Sequence, residues 1–416
     1  MEQAIKENLL KVQQVSSKLV ELSDGKFQKI LNEVSGLAWE RRDVILQANQ
    51  LDLDRMDPKD PKYDRLLLNE DRLKSILEDI KKVAVLPSPL GRLLEEKTLN
   101  NGLHIIRMSV PIGVIAVVYE SRPNVTFDVF SLCLKTGNAC VLKGSRDAKD
   151  SNEAIVAVIQ EVLDKYGLKD AVYLAPAERE ALPHILKAEG LIDCAIPRGS
   201  QGLINFVRNN ATIPVIETGA GIVHTYVDET AELNKAKAIV QNAKTRRVSV
   251  CNALDCLVIH EKLLGDLPEI VAGMDNDFRV EVYADERSFE SLASSYDSSL
   301  LKKASQEDFG IEWLSHKMSI KTVSNLEEAF AHIAKYSSKH SEAVVAEDRE
   351  VIDAFLKRVD AACVYANAST AFSDGGEFGL GAEIGISTQK LHARGPMGLR
   401  EMTSYKWVVN GDGQIR

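Results

Sequence analysis

The sequence predicts an α/β protein whose core consists of doubly wound parallel sheets. The clearest sign is the run Ile112–Tyr119, which is apolar and largely β-branched. A run without a polar face is typical of a parallel strand that is buried on both sides. Downstream of it, short apolar runs alternate with longer amphipathic stretches, as in repeated βα units. The 416 residues also exceed one small domain, because domains average roughly 150 residues.

The first part of the chain predicts helices instead of strands. Apolar residues recur at spacings of three and four from Ile5 to Leu22, which indicates an amphipathic helix. Further helices are expected over 26–49 and 69–83. Two prolines in the segment Asp57–Pro61 predict a break between these helices, because proline ends helices and favours turns.

Two series of strands and helices follow. The first predicts strands at 103–107, 112–119, 139–142, 171–174, 193–196 and 214–216, with helices at 149–165, 178–189 and 200–209. The second predicts helices at 231–247, 261–274, 324–336 and 348–358, with strands at 256–260, 280–283 and 342–346. Doubly wound sheets of this kind commonly bind nucleotides at the carboxyl ends of their strands.

Composition excludes several classes of function. The chain has 51 Lys and Arg against 61 Asp and Glu, a formal charge of −10, whereas a general nucleic-acid binder usually presents a basic face. We therefore expect no nucleic-acid partner, although a local basic pocket for a small anion is compatible with this charge. The sequence has no uncharged apolar window of about 18 residues and no signal-peptide core, so we expect a cytoplasmic protein without a membrane partner.

The candidate cofactor residues lie after two predicted strands. No GxGxxG follows the first strand, so the ordinary Rossmann fingerprint is absent. Instead, one strand ends in a short basic and flexible run, Lys143, Gly144, Ser145 and Arg146. A second run joins a strand to a helix whose free backbone N–H groups would suit a phosphate: Arg198, Gly199 and Ser200. Lysines and glycines are common at such places, so a structural role remains the alternative for each.

Cys251 is the candidate nucleophile. The chain has six cysteines without a CxxC pair or zinc-like spacing, so we expect reduced thiols and no metal site. Cys251 lies at the end of the basic stretch that starts at Lys244, and nearby cations favour the reactive thiolate. The alternative is a buried structural cysteine, an interpretation that suits Cys256 better because it opens an apolar strand.

Two motifs connect these pieces to a known family. They are the run Tyr119–Thr126 (YESRPNVT) and the glycine-rich run Phe378–Pro396, which contains FGLGAEIGIS and QKLHARGP. With them the chain resembles the aldehyde dehydrogenase superfamily over essentially its whole length. Within that superfamily it is closely similar to the γ-glutamyl phosphate reductase family (glutamate-5-semialdehyde dehydrogenases).

The resemblance implies an aldehyde dehydrogenase-like fold with two doubly wound α/β domains and a small β element for oligomerisation. The cofactor-binding domain would span 1–222 and the catalytic domain 223–395. The oligomerisation element would combine 97–110 with 396–416. A homo-oligomer, either a dimer or a tetramer, is therefore expected.

The resemblance also implies roles for individual residues. Cys251 would be the nucleophile and Asn124 the amide that stabilises the oxyanion. The residues expected to hold the adenosine ribose and phosphates of the cofactor are Lys143, Gly144, Ser145, Arg198, Gly199 and Ser200. Glu312 would hold the nicotinamide ribose. Arg146 stands where NAD-preferring relatives often have an acid, and a cation there would attract a 2′-phosphate, so the expected cofactor is NADP(H).

The implied substrate is L-glutamyl 5-phosphate, which carries both signs of charge. Its candidate ligands are Arg122, Asn367, Ser369 and Arg394, although a local ion pair or a loop cap is an equally good interpretation of each. His340 is a further candidate for this site, and a capping or supporting role is an equally good interpretation of it. We interpret Glu217, which precedes Cys251 by 34 residues, as local structure, because the reaction needs no activated water.

The implied reaction is the NADPH-dependent reduction of L-glutamyl 5-phosphate to L-glutamate 5-semialdehyde in proline biosynthesis. It would proceed through a thioester of Cys251 with release of phosphate. One alternative is another acylating or hydrolytic aldehyde dehydrogenase. A second alternative, a binding protein without activity, is disfavoured because Cys251, Asn124 and Lys143 are all present. An association with the glutamate kinase that makes the acyl phosphate is left open.

Overall fold

The computed structural model of the chain describes residues 1–60 and 62–416, so Pro61 of the predicted break lies outside the described residues. The chain forms two compact units, which are described separately below. The first unit comprises Met1–Thr218, Gly379–Gly385 and Pro396–Arg416, and the second comprises Gly219–Phe378 and Ile386–Gly395. The functions expected of the domains at 1–222 and 223–395 remain predictions.

The first unit begins with α-helices: α1 Glu2–Leu19, α2 Asp24–Glu40, α3 Arg42–Leu53, α4 Tyr63–Leu66 and α5 Glu70–Val85. The apolar stripe of α1 is buried, as its spacing predicted. The prediction of one continuous helix over 26–49 is wrong. The chain leaves helical geometry at Arg41 (φ −95°, ψ 13°), so α2 ends there and α3 starts immediately afterwards.

The remaining elements of this unit alternate between strands and helices. The strands are β1 Leu93–Thr98, β2 His104–Pro111, β3 Val114–Tyr119, β4 Ala139–Lys143, β5 Val172–Leu174 and β6 Cys194–Arg198. The helices are α6 Pro123–Lys135, α7 Lys149–Asp164, α8 Leu182–Leu186 and α9 Gln201–Asn210. Strands β5-β4-β3-β6 form a parallel sheet in this order. Every residue of β3 is buried, which confirms the prediction from its apolar run.

Two predicted elements of the first unit differ in the structure. The strand predicted at 214–216 is reduced to an isolated bridge between Val215 and Ala195. The helix predicted at 178–189 is shortened to α8 and a preceding 3-10 turn at Arg179–Ala181. Pro183 lies in the first turn of α8, where the missing N–H of proline does no harm.

The second unit is a larger parallel sheet with flanking helices. Its strands are β7 His224–Val227, β8 Cys256–His260, β9 Glu281–Ala284, β10 Leu301–Lys303, β11 Lys317–Val323, β12 Ser341–Val345 and β13 Cys363–Ala366. They are arranged in the order β10-β9-β11-β8-β7-β12-β13. The helices are α10 Leu233–Thr245, α11 Leu267–Ile270, α12 Glu286–Leu292, α13 Leu326–Tyr336 and α14 Arg349–Arg358. Two short strands, β14 Ile386–Ser387 and β15 Gly395–Pro396, pair with each other.

The helix predicted at 261–274 is wrong. The chain forms a 3-10 turn at Glu261–Leu263 and then the short helix α11. Pro268 lies in the first turn of α11, and a continuous helix through this position would lose a hydrogen bond and clash with the proline ring.

A small antiparallel sheet completes the first unit. Strand β2 pairs on one side with β1 and on the other with the last strand, β16 Thr403–Asn410. Its outer residues include Tyr405, Trp407 and Val409, which are exposed. This sheet coincides with the element that the sequence assigned to oligomerisation, and that role remains a prediction. Across residues 1–60 and 62–416, we find no helix with the length and apolarity that spanning a membrane requires.

Candidate active site

Accessibility distinguishes Cys251 from the other cysteines of the chain. It lies in the turn between α10 and β8 and is half-buried. All cysteines of the chain belong to the described residues. The remaining ones are buried: Cys133, Cys140, Cys194, Cys256 and Cys363. Burial raises the pKa of Cys194 and of Cys256 to about 12, so neither provides a thiolate near neutral pH. Cys251 is therefore the cysteine that a substrate can reach.

A glycine lies against the backbone of Cys251. A Cβ atom placed on Gly221 would lie 1.6 Å from the carbonyl oxygen of Cys251, so no larger residue fits. The Gly221 N–H donates a hydrogen bond of 2.8 Å to the Glu312 carboxylate. Burial raises the pKa of Glu312, and the hydrogen bond from Gly221 opposes this shift. Glu312 thus anchors the segment that supports Cys251, and its contact with the nicotinamide ribose remains a prediction.

Asn252 fixes the other side of the Cys251 turn. Its buried side-chain Nδ2 donates to the carbonyls of Ala371 (3.3 Å) and Ser373 (3.0 Å). In return, Thr370 Oγ1 donates to the Asn252 carbonyl at 2.8 Å. The loop after β13 is therefore hydrogen-bonded to the residue that follows Cys251. Sequence reasoning missed this role, because nothing in the spacing of the two segments shows that they meet.

The basic stretch before Cys251 was expected to favour its thiolate, but the lysine of this stretch points into the fold. Lys244 is buried, and its Nζ donates to the Leu254 carbonyl at 2.9 Å. Burial lowers the pKa of Lys244 and raises that of Asp255, while the attraction between the two opposes both shifts. The ammonium of Lys244 therefore stabilises the base of the turn. Positive charge exposed to solvent in this stretch comes from Arg246 and Arg247.

Two of the predicted substrate ligands have structural contacts in the second unit. The Asn367 side chain accepts from the N–H of Ala346 (3.1 Å) and donates to its carbonyl (2.8 Å), and its backbone has a positive φ of 52°. Ser369 is buried, and its Oγ accepts from the N–H of Ala371 at 3.2 Å. Both residues shape the loop that holds Asn252, and their contact with substrate remains a prediction.

Arg394 belongs to a cluster of cations around one carboxylate. Asp360 lies 2.8 Å from Arg394, 3.0 Å from Lys390 and 3.3 Å from Lys339. Hydrogen bonds from Lys390 and Arg394 hold the pKa of Asp360 well below its usual range. Three cations against one carboxylate leave a local excess of positive charge, which suits an anionic ligand.

His340 is part of the interior of the second unit. It is fully buried, its Nδ1 lies 2.8 Å from Ser341 Oγ, and burial lowers its pKa to about 4. The imidazole is therefore neutral near pH 7. Ser341 Oγ in turn contacts Ser373 Oγ at 2.5 Å. His340 thus supports the loop that binds Asn252, in agreement with the supporting role considered from the sequence.

In the first unit, Lys143 is the last residue of β4 and is almost completely buried. Its Nζ donates to the carbonyls of Gly144 (3.0 Å) and Ala177 (3.1 Å). Burial lowers its pKa to about 8. Both hydrogen-bond partners are neutral carbonyls, and attraction by the Glu178 carboxylate partly opposes the shift. Ser145 follows as the cap of a 3-10 turn.

Arg146 is exposed, and its guanidinium lies 3.5 Å from the Glu180 carboxylate. It also lines a cavity of about 350 Å³ together with Arg55, Met56, Asp52, Asp57, Asp60 and Asp147. Carboxylates outnumber guanidinium groups in that lining, so the cavity itself does not suit a phosphate.

The predicted phosphate loop differs from the expectation at Ser200. Its backbone N–H donates to the Glu120 carboxylate at 2.9 Å and its Oγ does so at 2.7 Å, so this N–H is not free. A Cβ on Gly199 would lie 2.7 Å from the Glu120 carboxyl carbon. A carboxylate prefers the start of a helix for the same reason as a phosphate does. A phosphate at the start of α9 must therefore displace Glu120, while Arg198 stands at the end of β6.

Asn124 lies in the first turn of α6 and is half-buried. Its Nδ2 donates to Asp128 at 3.1 Å, which orients the amide. Burial raises the pKa of Asp128 to about 6. Arg122 immediately precedes α6 and is half-buried as well.

Glu217 lies 3.5 Å from Arg208, a local ion pair that agrees with its structural interpretation.

Candidate residues of the first unit follow their strands, whereas several of those in the second unit precede theirs. In the first unit, Lys143 and Arg198 are the last residues of β4 and β6, as predicted for a nucleotide site. In the second unit, Gly221, Cys251 and His340 precede β7, β8 and β12, so they lie at the amino ends of their strands.

The fold is that of the aldehyde dehydrogenase-like α/β proteins. A solved acetylating aldehyde dehydrogenase from Geobacillus thermoglucosidasius matches it with a TM-score of 0.70 at 16% identity, covering 100% of this chain and 98% of that chain. At this identity the likeness shows the fold alone. It confirms the aldehyde dehydrogenase-like α/β architecture that the motifs implied.

More similar relatives define the family. Curated gamma-glutamyl phosphate reductases from Pelodictyon phaeoclathratiforme and Bacteroides fragilis are 58% and 57% identical, over 100% and 97% of this chain and 100% and 98% of theirs. The solved gamma-glutamyl phosphate reductase of Thermotoga maritima is 40% identical, with a TM-score of 0.94 and 99% of both chains covered. No family model matches the sequence. The chain belongs to the γ-glutamyl phosphate reductase family and is an oxidoreductase, which confirms the family indicated by its motifs.

Replacing Gly221 by alanine should displace the turn of Cys251, because the new methyl group needs the space of the Cys251 carbonyl. We expect the free energy of unfolding, measured by urea denaturation, to fall by about 1–3 kcal/mol. A loss of this size is usual for overpacking. Gly36→Ala is the matched control, since no atom lies within 4 Å of a Cβ at Gly36. Equal stability of Gly221→Ala and the wild type would contradict the contact.

Proposed function

We propose that this chain reduces L-glutamyl 5-phosphate to L-glutamate 5-semialdehyde with NADPH, through a thioester of Cys251. The relatives that share its family are named for this substrate. The observation that carries the mechanism is the accessibility of Cys251, whose turn is held by Gly221 and Asn252 while the other cysteines are buried. The aldehyde enters proline biosynthesis.

The first half-reaction forms the thioester. The Cys251 thiolate attacks the acyl carbon, the bond between that carbon and the phosphate oxygen breaks, and inorganic phosphate leaves with the bonding electrons. The side-chain amide of Asn124 is the group that the family resemblance assigns to stabilising the negative charge on the carbonyl oxygen. Asp128 keeps the Asn124 amide oriented by accepting one of its N–H groups.

The second half-reaction returns the enzyme to its starting state. When bound, NADPH supplies the hydride that reduces the thioester carbon. The tetrahedral adduct on Cys251 then collapses to the aldehyde, and the sulfur leaves as a thiolate. Splitting the reduction at a covalent intermediate replaces one difficult step with two easier ones.

The cofactor residues fit an anionic dinucleotide. Lys143 offers a buried ammonium with neutral hydrogen-bond partners, and Arg198 adds a cation at the neighbouring strand end. Arg146 supports NADP(H) over NAD(H), because its exposed guanidinium can pair with a 2′-phosphate after separating from Glu180. A structural neighbour, an engineered glycolyl-CoA reductase that is 15% identical, contains bound NADP+.

The substrate needs positive charge for its carboxylate and phosphate. The excess of cations around Asp360 places Arg394 and two lysines in the second unit, and Arg122 provides a further guanidinium in the first. Arg394 is half-buried, which strengthens its charge interactions relative to those of the exposed lysines. Asn367 and Ser369 act mainly by shaping the loop, so Arg394 and Arg122 are the stronger candidates for direct contact.

We further propose a homo-oligomer that pairs through the antiparallel sheet of β1, β2 and β16. Exposed apolar side chains on its strands, including Leu93, Tyr405 and Trp407, support this role because such residues favour protein contacts. The Arg107 guanidinium lies over the rings of Tyr405 and Trp407, 5.0 Å and 5.5 Å from the ring centres.

The reverse assay tests the substrate and the nucleophile together. Glutamate 5-semialdehyde, phosphate and NADP+ should yield NADPH in the wild type, and Cys251→Ala should abolish this while still binding NADPH. Cys363→Ala is the matched control and should keep near-normal kcat, because Cys363 is buried in β13. Oxidation of simple aldehydes without phosphate would point to a hydrolytic aldehyde dehydrogenase instead.

Replacing Arg146 by glutamate should shift the cofactor preference. A carboxylate repels the 2′-phosphate of NADP+ and accepts hydrogen bonds from the ribose diol of NAD+. We expect the ratio of kcat/KM for NADP+ over NAD+ to fall by at least about tenfold, the equivalent of one charge-assisted hydrogen bond. Arg179→Glu, in the 3-10 turn before α8, is the control for the change of net charge. An unchanged ratio in Arg146→Glu would rule out this contact.

The cofactor affinity should depend on pH through Lys143. Its pKa of about 8 means that the ammonium is present below this pH and is lost as the pH rises through it. The dissociation constant of NADPH, measured by fluorescence titration, should therefore increase by about tenfold or more between pH 7 and pH 10. Lys143→Met should bind weakly with a flat profile, while the exposed control Lys165→Met should keep the wild-type profile. A flat wild-type profile would contradict the assignment.

A further inference from the structure

A row of polar side chains crosses the interior of the second sheet. Glu342 on β12 is the register partner of His224 on β7, and His224 is in turn the partner of Cys256 on β8. Register partners in a parallel sheet point to the same face. All three side chains are completely buried, and Val258 and Val344 belong to the same apolar cluster as Cys256. Polar groups in such a core require partners.

Helix α13 adds a fourth polar side chain above this row. The Nε2 atom of His332 lies 3.5 Å from the sulfur of Cys256. One ring nitrogen of each histidine, His224 and His332, and this sulfur all lie within 4.8 Å of one another. In a tetrahedral zinc site, bonds of about 2.3 Å to sulfur and 2.0–2.1 Å to nitrogen place these two ligand atoms about 3.5 Å apart. The Cys256–His332 pair already has this spacing.

Glu342 orients His224 in the way that metal ligands are oriented. Its carboxylate lies 3.1 Å from His224 Nδ1 and also accepts the His224 backbone N–H at 2.9 Å and the hydroxyl of Ser337. The proton of the imidazole is therefore on Nδ1, which leaves the lone pair on Nε2. A carboxylate behind a histidine is the usual second layer of a metal site. Among the described residues, His224 Nε2 is buried without a hydrogen-bond partner.

The thiol of Cys256 lies within hydrogen-bond distance of His332 Nε2, whereas the buried His224 Nε2 has no hydrogen-bond partner among the described residues. One cation would accept electron pairs from the sulfur and both nitrogens. The thiolate and the Glu342 carboxylate would then balance the charge of Zn²⁺, and the thiolate alone would balance that of Cu⁺.

We infer that His224, Cys256 and His332 bind one d10 metal ion, either Zn²⁺ or Cu⁺, with Glu342 as the supporting carboxylate. One thiolate and two imidazoles are the ligands that these cations prefer. The ion would join β7, β8 and α13 inside the core, so its role is structural and independent of the reductase reaction. The sequence predicted no metal site, because the three ligands are far apart along the chain and follow no spacing motif.

Metal analysis of the full-length chain tests this site. The background variant is Cys251→Ala, so that the accessible thiol cannot contribute a ligand. We expect one Zn²⁺ or Cu⁺ per chain by mass spectrometry after expression without a tag in zinc- or copper-supplemented medium, and the element found distinguishes the two ions. Cys256→Ser should lower the content to about one tenth or less, since loss of a ligand greatly weakens such sites. Cys140→Ser, at another buried cysteine in a strand, should keep the ion.

A second measurement covers the case in which Cys256→Ser does not fold. The Cys251→Ala chain is refolded from denaturant with Co²⁺, and a thiolate-to-cobalt absorption band is expected that is weakened or shifted in His332→Gln. A metal content below about one tenth per chain in both media, together with no such band, would overturn the site. A full metal content in folded Cys256→Ser would do so as well. Neither readout depends on the reductase activity, so the site can fail while the proposed function stands.

Discussion

The contact between Gly221 and the carbonyl of Cys251 is the constraint on which the candidate active site depends. There is no room for a Cβ at Gly221, and its N–H is bound by Glu312. From the other side, Asn252 is hydrogen-bonded to the loop after β13. The turn is thus held from both sides, and Cys251 is half-buried. Fixing a reactive group in this way reduces the reorganisation needed before it reacts, which supports the proposed role of Cys251.

Two buried lysines, one in each unit, differ in their place in the fold. Lys244 donates to a carbonyl and is attracted by Asp255. Lys143 also donates to carbonyls, those of Gly144 and Ala177, and is attracted by Glu178. It differs from Lys244 in being the last residue of β4, and doubly wound sheets commonly bind nucleotides at the carboxyl ends of their strands. The sequence shows two lysines in basic surroundings, and only the fold separates them.

Carboxylates of the chain occupy two places where an anionic ligand is expected. Glu120 accepts both hydrogen bonds of Ser200 at the start of α9, where a phosphate was expected. Asp360 lies between three cations, one of which is Arg394. In each case a carboxylate of the chain neutralises positive potential that would otherwise be solvated. An anionic ligand at either place competes with a side chain, which lowers its affinity but raises the selectivity for ligands that fit.

The sequence by itself determined the features that depend on neighbouring residues. The burial of β3, the stripe of α1, the family motifs and the choice of Cys251 all follow from local pattern and residue type. Tertiary structure alone decided the break at Arg41, the carboxylate at Ser200 and the row of Glu342, His224 and Cys256. These features join residues far apart in the chain. Strand register and packing bring such residues together, and no local period in the sequence records which ones meet.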